Sequence, residues 1–405
     1  MLYFAEHREQ NLRLAILKIL TLTLLLVFEF ALKPQRRLIC VRLKINSLEK
    51  IFFTPGPAQL YPTVEKHLLD ALHANLGSIS HRGKLFQQIF SETTNNLRTL
   101  LSLPDEFGIY FTGSASEIWQ TSLASCAEKS SFHFVNGSFS KKYFEYAKEL
   151  GLSVHKAEAP MGLGFDISKI EIPDEVEVIC CTQNETSTGV QMPVADIHAL
   201  KDKYPDKLVF VDVVSSLPHP NFDWSKIDAI LFSVQKAFGM PAGLGVWVVN
   251  KKTLAKAQQI KDKGLLKMPH HNLLSLAEIG AKNETPATPN VLFIYLLGKI
   301  VADMLAKGVE TIRKETTHKA NLVYDFCEQS ESFEAFVTEK AHRSETVIVV
   351  KTKKPSAEII EALKKDNIVM GAGYGSLKDN QIRIANFPAL SVSDIENLIH
   401  KLNKI

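Results

Sequence analysis

Residues 229–250 read Ala229-Ile230-Leu231-Phe232-Ser233-Val234, then Gln235-Lys236-Ala237-Phe238-Gly239-Met240-Pro241-Ala242-Gly243-Leu244, then Gly245-Val246-Trp247-Val248-Val249-Asn250. The flanks are short apolar runs rich in β-branched and aromatic residues, which predict strands buried on both faces. The middle, broken by Gly239, Pro241 and Gly243, is a turn whose backbone can come close to a ligand. Lys236 stands just past the first run. Apolar runs at Glu177–Thr182 and Leu208–Val214 predict two more strands, and polar residues gather at their ends: Asn184-Glu185-Thr186-Ser187-Thr188-Gly189 and Asp212-Val213-Val214-Ser215-Ser216. Helical periodicity lies between several runs, as in Val194–Lys203. Such alternation predicts an α/β architecture, a largely parallel sheet covered by helices, with chemistry at the carboxyl ends of its strands.

Upstream, Thr54-Pro55-Gly56-Pro57 is a rigid turn that opens the patterned region at about Phe53. Downstream, Val291 to about Cys327 predicts one long helix leading into a smaller α+β unit, with strands at Thr346–Val350 and Gln381–Ala385. We expect an apolar extension over residues 1–50, a large domain over 51–303 whose first residues pack on the small one, and a small domain over 304–405. Ala15–Leu32 is apolar and follows Arg8, Arg13 and Lys18, like a signal peptide or anchor. Its uninterrupted core, Ile19–Phe28, is too short to cross a bilayer, Glu29 interrupts it, and no small-residue cleavage site follows. The expectation is therefore a cytoplasmic protein without a membrane span.

With 47 Lys and Arg against 44 Asp and Glu, the net charge of +3 gives no field suited to nucleic acid, so a small molecule is the expected partner. The five cysteines show no metal-ligand spacing and cannot all pair, which predicts free thiols, a reducing compartment and no metal site. A carboxylate and a lysine at neighbouring strand ends, Asp212 and Lys236, could form only a buried salt bridge. The glycine- and proline-containing turn after Lys236 has no place in that reading.

Gln235-Lys236 followed by Gly239 and Pro241-Ala242-Gly243-Leu244 resembles the lysine segment of the class V aminotransferases, which are fold-type I pyridoxal-phosphate enzymes. Four more segments agree in order: Ser78-Ile79-Ser80-His81-Arg82-Gly83-Lys84, Asn184 to Gly189, Thr285-Pro286, and Gln381-Ile382-Arg383. The resemblance covers about Phe53 to Leu402 and is greatest to the family's phosphoserine branch. It implies the fold-type I architecture, a homodimer with shared active sites, and pyridoxal 5′-phosphate held by Lys236 as a Schiff base. Lys236 is then also the base, and Asp212 the partner of the pyridine nitrogen. Thr186 would bond the ring hydroxyl, Phe139 would stack on the ring, and Gln235 with the backbone of Ser114, Ala115 and Ser116 would hold the phosphate, joined by Thr285 of a second subunit.

For the substrate, the resemblance assigns Arg383 to the α-carboxylate, where a guanidinium offers two parallel hydrogen bonds, and His81 and Arg82 of the other subunit to the distal phosphate. It implies amino transfer between phosphoserine and 2-oxoglutarate, as in serine biosynthesis. Two departures keep an alternative open. Ser116 stands where the phosphoserine branch has an arginine, next to Glu117, and Gly373-Tyr374-Gly375-Ser376-Leu377-Lys378 replaces a His-Arg pair. Gly113-Ser114-Ala115-Ser116 is closer to serine–pyruvate and alanine–glyoxylate aminotransferases, which act on unphosphorylated donors.

Overall fold

The computed structural model describes residues 50–268 and 270–405; the apolar segment 15–32 lies outside them. Seven strands form the large sheet: β1 (Gly108–Thr112), β2 (Ser130–Val135), β3 (Ser153–Glu158), β4 (Val178–Thr182), β5 (Leu208–Asp212), β6 (Ala229–Ser233) and β7 (Gly245–Val249). Their order is β1-β7-β6-β5-β4-β2-β3, and all run in one direction except β7, which is antiparallel to both neighbours. Alternate residues serve opposite cores. Val209 and Val211 pack toward α1 (Lys84–Leu101) and α5 (Val291–Lys307), whereas Leu208 and Phe210 pack toward α2 (Ala115–Cys126) and α3 (Ser138–Glu149). A strand covered on both faces needs an apolar residue at every position, hence the unbroken runs in the sequence.

The carboxyl ends of β1, β2, β4, β5 and β6 share one edge, and the reversed β7 brings its first residue there too, since Gly245 pairs with both Ser233 and Thr112. The predicted strand to Val214 stops at Asp212 because the Asp212 carboxylate accepts the Val214 backbone N–H at 2.9 Å and turns the chain out of the ladder. The predicted helix Val194–Lys203 is observed as α4 with those bounds.

The single long helix expected from Val291 to Cys327 is two. α5 ends at Lys307, Gly308 adopts φ +90°, and α6 runs Val309–Gln329. Apolar periodicity continues through both halves, so the pattern concealed a break that the glycine conformation imposes.

A second sheet is formed by β8 (Phe333–Ala335), β9 (Val347–Thr352), β10 (Gly371–Ala372) and β11 (Gln381–Ala385), antiparallel in the order β8-β9-β11-β10. The first described residues belong to this part of the core: Ile51–Phe52 pairs with Ile368–Val369, and Phe53 is fully buried among residues of the second sheet, a burial worth about 1.5–3 kcal/mol. The chain then crosses to the large sheet's loops, where the Ala58 N–H donates to the Gln235 carbonyl at 3.0 Å. This strap, residues 53–58, joins the two sheets at the site.

Candidate active site

Asp212, at the end of β5, is 4% exposed. One carboxylate oxygen accepts the Val214 N–H and the other the indole N–H of Trp119 at 2.9 Å. Burial pushes its carboxyl up to about 7, against the opposing pull of those two donors. Beside it, Thr186 donates its hydroxyl to Ser215 Oγ at 2.8 Å, and the Asn184 amide donates to the same oxygen at 2.8 Å. The loop after β4 is thereby tied to the loop after β5.

Lys236 follows β6. Its Nζ lies 5.3 Å from the centre of the Phe139 ring. Burial first, and then the Arg383 guanidinium, bring its amine down to about 8, so an appreciable neutral fraction exists near neutrality. The strap presses on this side chain: a Cβ on Gly56, whose φ is +133°, would sit 2.6 Å from Lys236 Cε. Phe139 is fixed from behind. The Glu185 carboxylate, fully buried, accepts the backbone N–H groups of Phe139, Ser140 and Ser187 and the hydroxyls of Ser140 and Ser187. A negative side chain thus caps the start of α3, where helix N–H groups lack partners.

Arg383 lies in β11, paired with Val349 and Gly371. Its Nε donates to the Ala372 carbonyl at 2.8 Å, and its guanidinium carbon stands 5.3 Å from the centre of the Tyr374 ring. Tyr374 in turn contacts Phe139, ring centres 5.4 Å apart. Among the described residues Arg383 has no carboxylate partner, and burial lowers its pKa from the usual guanidinium value. A desolvated cation without a counter-ion is suited to capture an anion.

At the opposite end of the cleft, Ser114 caps α2 by accepting the Glu117 N–H, and the Ala115 N–H donates to Ser233 Oγ at 2.7 Å. Ala115, Ser116, Thr186, Asp212, Gln235 and Lys236 all line one cleft with Phe139 and Trp119. Glu117, whose charge opposes an anion here, is held away by the Gly113 N–H and by His271 Nδ1 at 2.8 Å; His271 keeps its carboxyl below the ordinary range.

His81, Arg82 and Thr285 do not line that cleft in their own chain. Arg82 pairs with Glu284 at 2.5 Å, which also accepts from Gln87, and the Thr285 hydroxyl donates to the Ala287 carbonyl. Thr285 and His271 instead line a separate depression with Gly113 and Gly243.

The profile of the family described as aminotransferase class-V matches residues 51–385. The chain belongs to the class-V aminotransferases. This aminotransferase is 47% identical to a phosphoserine aminotransferase from Cytophaga hutchinsonii whose structure superposes with a TM-score of 0.87, covering 88% of this chain and 98% of that one. It is also 26% identical over 355 residues to the phosphoserine aminotransferase of Rhodococcus opacus, covering 87% of this chain and 94% of the relative. Alanine–glyoxylate aminotransferase from Nostoc, 19% identical with a TM-score of 0.73 over 90% of this chain and 98% of that one, shares the fold. The architecture is fold-type I, and the cofactor of this class-V enzyme is pyridoxal 5′-phosphate.

The cleft fits that cofactor. It offers a buried acid for a ring nitrogen, an amine for an aldehyde, an aromatic face in Phe139, and the start of the twelve-residue helix α2 for a phosphate. The Gln235 side-chain oxygen and the Asn184 side-chain oxygen are buried without hydrogen-bond partners among the described residues, as polar groups awaiting a polar ligand would be. Other neighbours of the site carry no role in the sequence expectation. Trp119 shares a helix face with Ser116, three residues earlier, a spacing that points both at the cleft. Ser215 was within a quoted motif without a role. Tyr374 and Gly56 stood in quoted stretches too, but their partners Phe139 and Lys236 lie far away in the chain.

Proposed function

We propose that this enzyme transfers an amino group between phosphoserine and 2-oxoglutarate, working as a homodimer in the cytoplasm. The observation that carries the substrate assignment is the 47% identity, over nearly the whole partner chain, to a phosphoserine aminotransferase. In this reading Lys236 would hold the cofactor through its amine, and that amine, brought down to about 8, would move a proton at the substrate α-carbon. Asp212 would pair with the ring nitrogen, Thr186 would bond the ring hydroxyl, Phe139 would cover the ring, and Ser114, Ala115, Ser116 and Gln235 would hold the phosphate. When bound, pyridoxal phosphate supplies the electron sink for the bond broken at the α-carbon.

Arg383 would grip the α-carboxylate, its guanidinium supplying charge-assisted hydrogen bonds. We assign His81, Arg82 and Thr285 to the second subunit's site. We also assign the cofactor part to residues 51–303, and 304–405 to the small domain, with the strap 53–58 crossing between them. The four described cysteines are free, in keeping with a reducing compartment, and no helix among the described residues is long and apolar enough to cross a membrane.

An unphosphorylated donor is the second reading. It is favoured by Ser116 and by the loop 373–378, whose Lys378 is exposed and lines no part of the cleft. Steady-state rates with 2-oxoglutarate as acceptor separate the two. A kcat/KM for phosphoserine well above those for serine and alanine supports the first reading, and equal values overturn it.

A further inference from the structure

Trp119 projects from α2 on the face that carries Ala115 and Ser116 into the cleft. Its indole is held on two sides: it stacks on Tyr143 with ring centres 5.5 Å apart and planes 15° from parallel, and it meets Tyr146 edge-on at 5.9 Å. The Tyr143 hydroxyl is itself 3.2 Å from Ser122 Oγ, one turn further along α2. At 4% exposure the indole is almost wholly buried. Its N–H therefore has one direction open to it, and Asp212 Oδ2 lies there at 2.9 Å. Aromatic packing alone does not require a Trp at this place; a buried indole N–H aimed at a buried carboxylate is a specific arrangement.

We propose that Trp119 is a positioning residue for the cofactor's ring nitrogen, fixing the Asp212 carboxylate from the side opposite its own backbone bond to Val214. The proposal rests on Asp212 being the partner of that nitrogen. With Val214 N–H on one oxygen and the indole N–H on the other, the carboxylate cannot rotate without breaking a bond. The charged groups acting on Asp212 are Lys236, which favours its ionised form, and Glu185, which opposes it. Burial favours the neutral acid, whereas the two N–H donors favour the carboxylate, and Trp119 contributes one of them through a side chain that substitution can remove.

The test uses the apoprotein and two ligands: pyridoxal 5′-phosphate, and its deaza analogue in which the ring nitrogen is replaced by a C–H group. Affinities are measured by equilibrium dialysis for the wild type and for Trp119→Phe. A hydrogen bond to a charged group is worth roughly ten- to a hundredfold in an equilibrium constant, so Trp119→Phe should lose on the order of tenfold for pyridoxal phosphate and under about twofold for the deaza analogue. Equal losses for both ligands would reduce Trp119 to packing and overturn the proposal, as would no loss for either. A wild type that does not distinguish the ligands would refute the Asp212 assignment itself. If Trp119→Phe does not fold, incorporating 3-benzothienylalanine at position 119 keeps the bicyclic shape without the N–H, and the same loss of discrimination is expected.

Discussion

Gly56→Ala tests whether the strap sets the position of the catalytic lysine. The added Cβ would lie 2.6 Å from Lys236 Cε and 2.9 Å from both Cδ and Nζ. Carbon atoms rest at about 3.5–4.0 Å, so the lysine must retreat by about 1 Å or the strap must lift by as much. The backbone also resists, because φ at this residue is +133°, a conformation costing an L-residue about 1–3 kcal/mol. A misplacement of about 1 Å at a reacting group can lower the rate about a hundredfold. The expected result is a modestly less stable apoprotein whose half-reaction with an amino donor, followed by loss of the bound cofactor's visible absorbance, is slower by about two orders of magnitude. Gly264→Ala separates the two causes, since its φ is +70° but its Cβ would meet nothing within 4 Å; it should cost stability and leave the half-reaction unchanged. If Gly56→Ala reacts within about threefold of wild type, a change worth under 1 kcal/mol in the barrier, the strap does not position Lys236.

Burial holds the Asp212 carboxyl at about 7 in the folded apoprotein against an ordinary 3.8; the native state then binds the proton more tightly, and its contribution to stability is lost as pH rises from about 4 through 7. Denaturant melts across that range should show the fall in wild type and its absence in Asp212→Asn. Lys236 works in the other window: its amine sits at about 8 against 10.5 when unfolded, so stability should rise between those values and Lys236→Met should abolish the rise. Glu185→Gln leaves some of the donors at the start of α3 facing an amide, and each one unpaired costs about 1–3 kcal/mol. Thermal denaturation should register the loss, with the mobility of the bound cofactor's fluorescence reporting a loosened Phe139. Arg383→Lys gives up the two-pronged grip, and kcat/KM for the amino donor should fall roughly ten- to a hundredfold; an unchanged value would remove Arg383 from substrate binding.

Lys236, Asp212, Thr186 and Gln235 were legible as candidates because each stands at or within a few residues of a strand's end, and a buried strand writes itself as an unbroken apolar run. α4 was legible for a similar reason, its periodicity being enclosed between two such runs. The division of α5 from α6 was not, since hydrophobic spacing is blind to one glycine at φ +90° when both helices bury the same kind of face. Trp119 reaches Asp212 across 93 positions of sequence and Arg383 reaches the Thr186 carbonyl across 197. Contacts of that kind are set by strand order, which composition and spacing do not encode. The pairing of Glu117 with His271 belongs to the same class: the sequence displayed an acid beside the phosphate loop, and only the fold supplied the imidazole that draws it away.

The strap also dictates a timetable. Phe53 bonds to Val369 and Ala385, and Gly56 lies against Lys236, so the strap must wait for more than 300 residues of chain before its last partners emerge. The large sheet can form during synthesis, but the lysine is not enclosed until the last strand arrives. Closing so distant a loop is entropically slow. Premature termination between β7 and β11 would therefore leave a folded sheet with an unfinished catalytic edge.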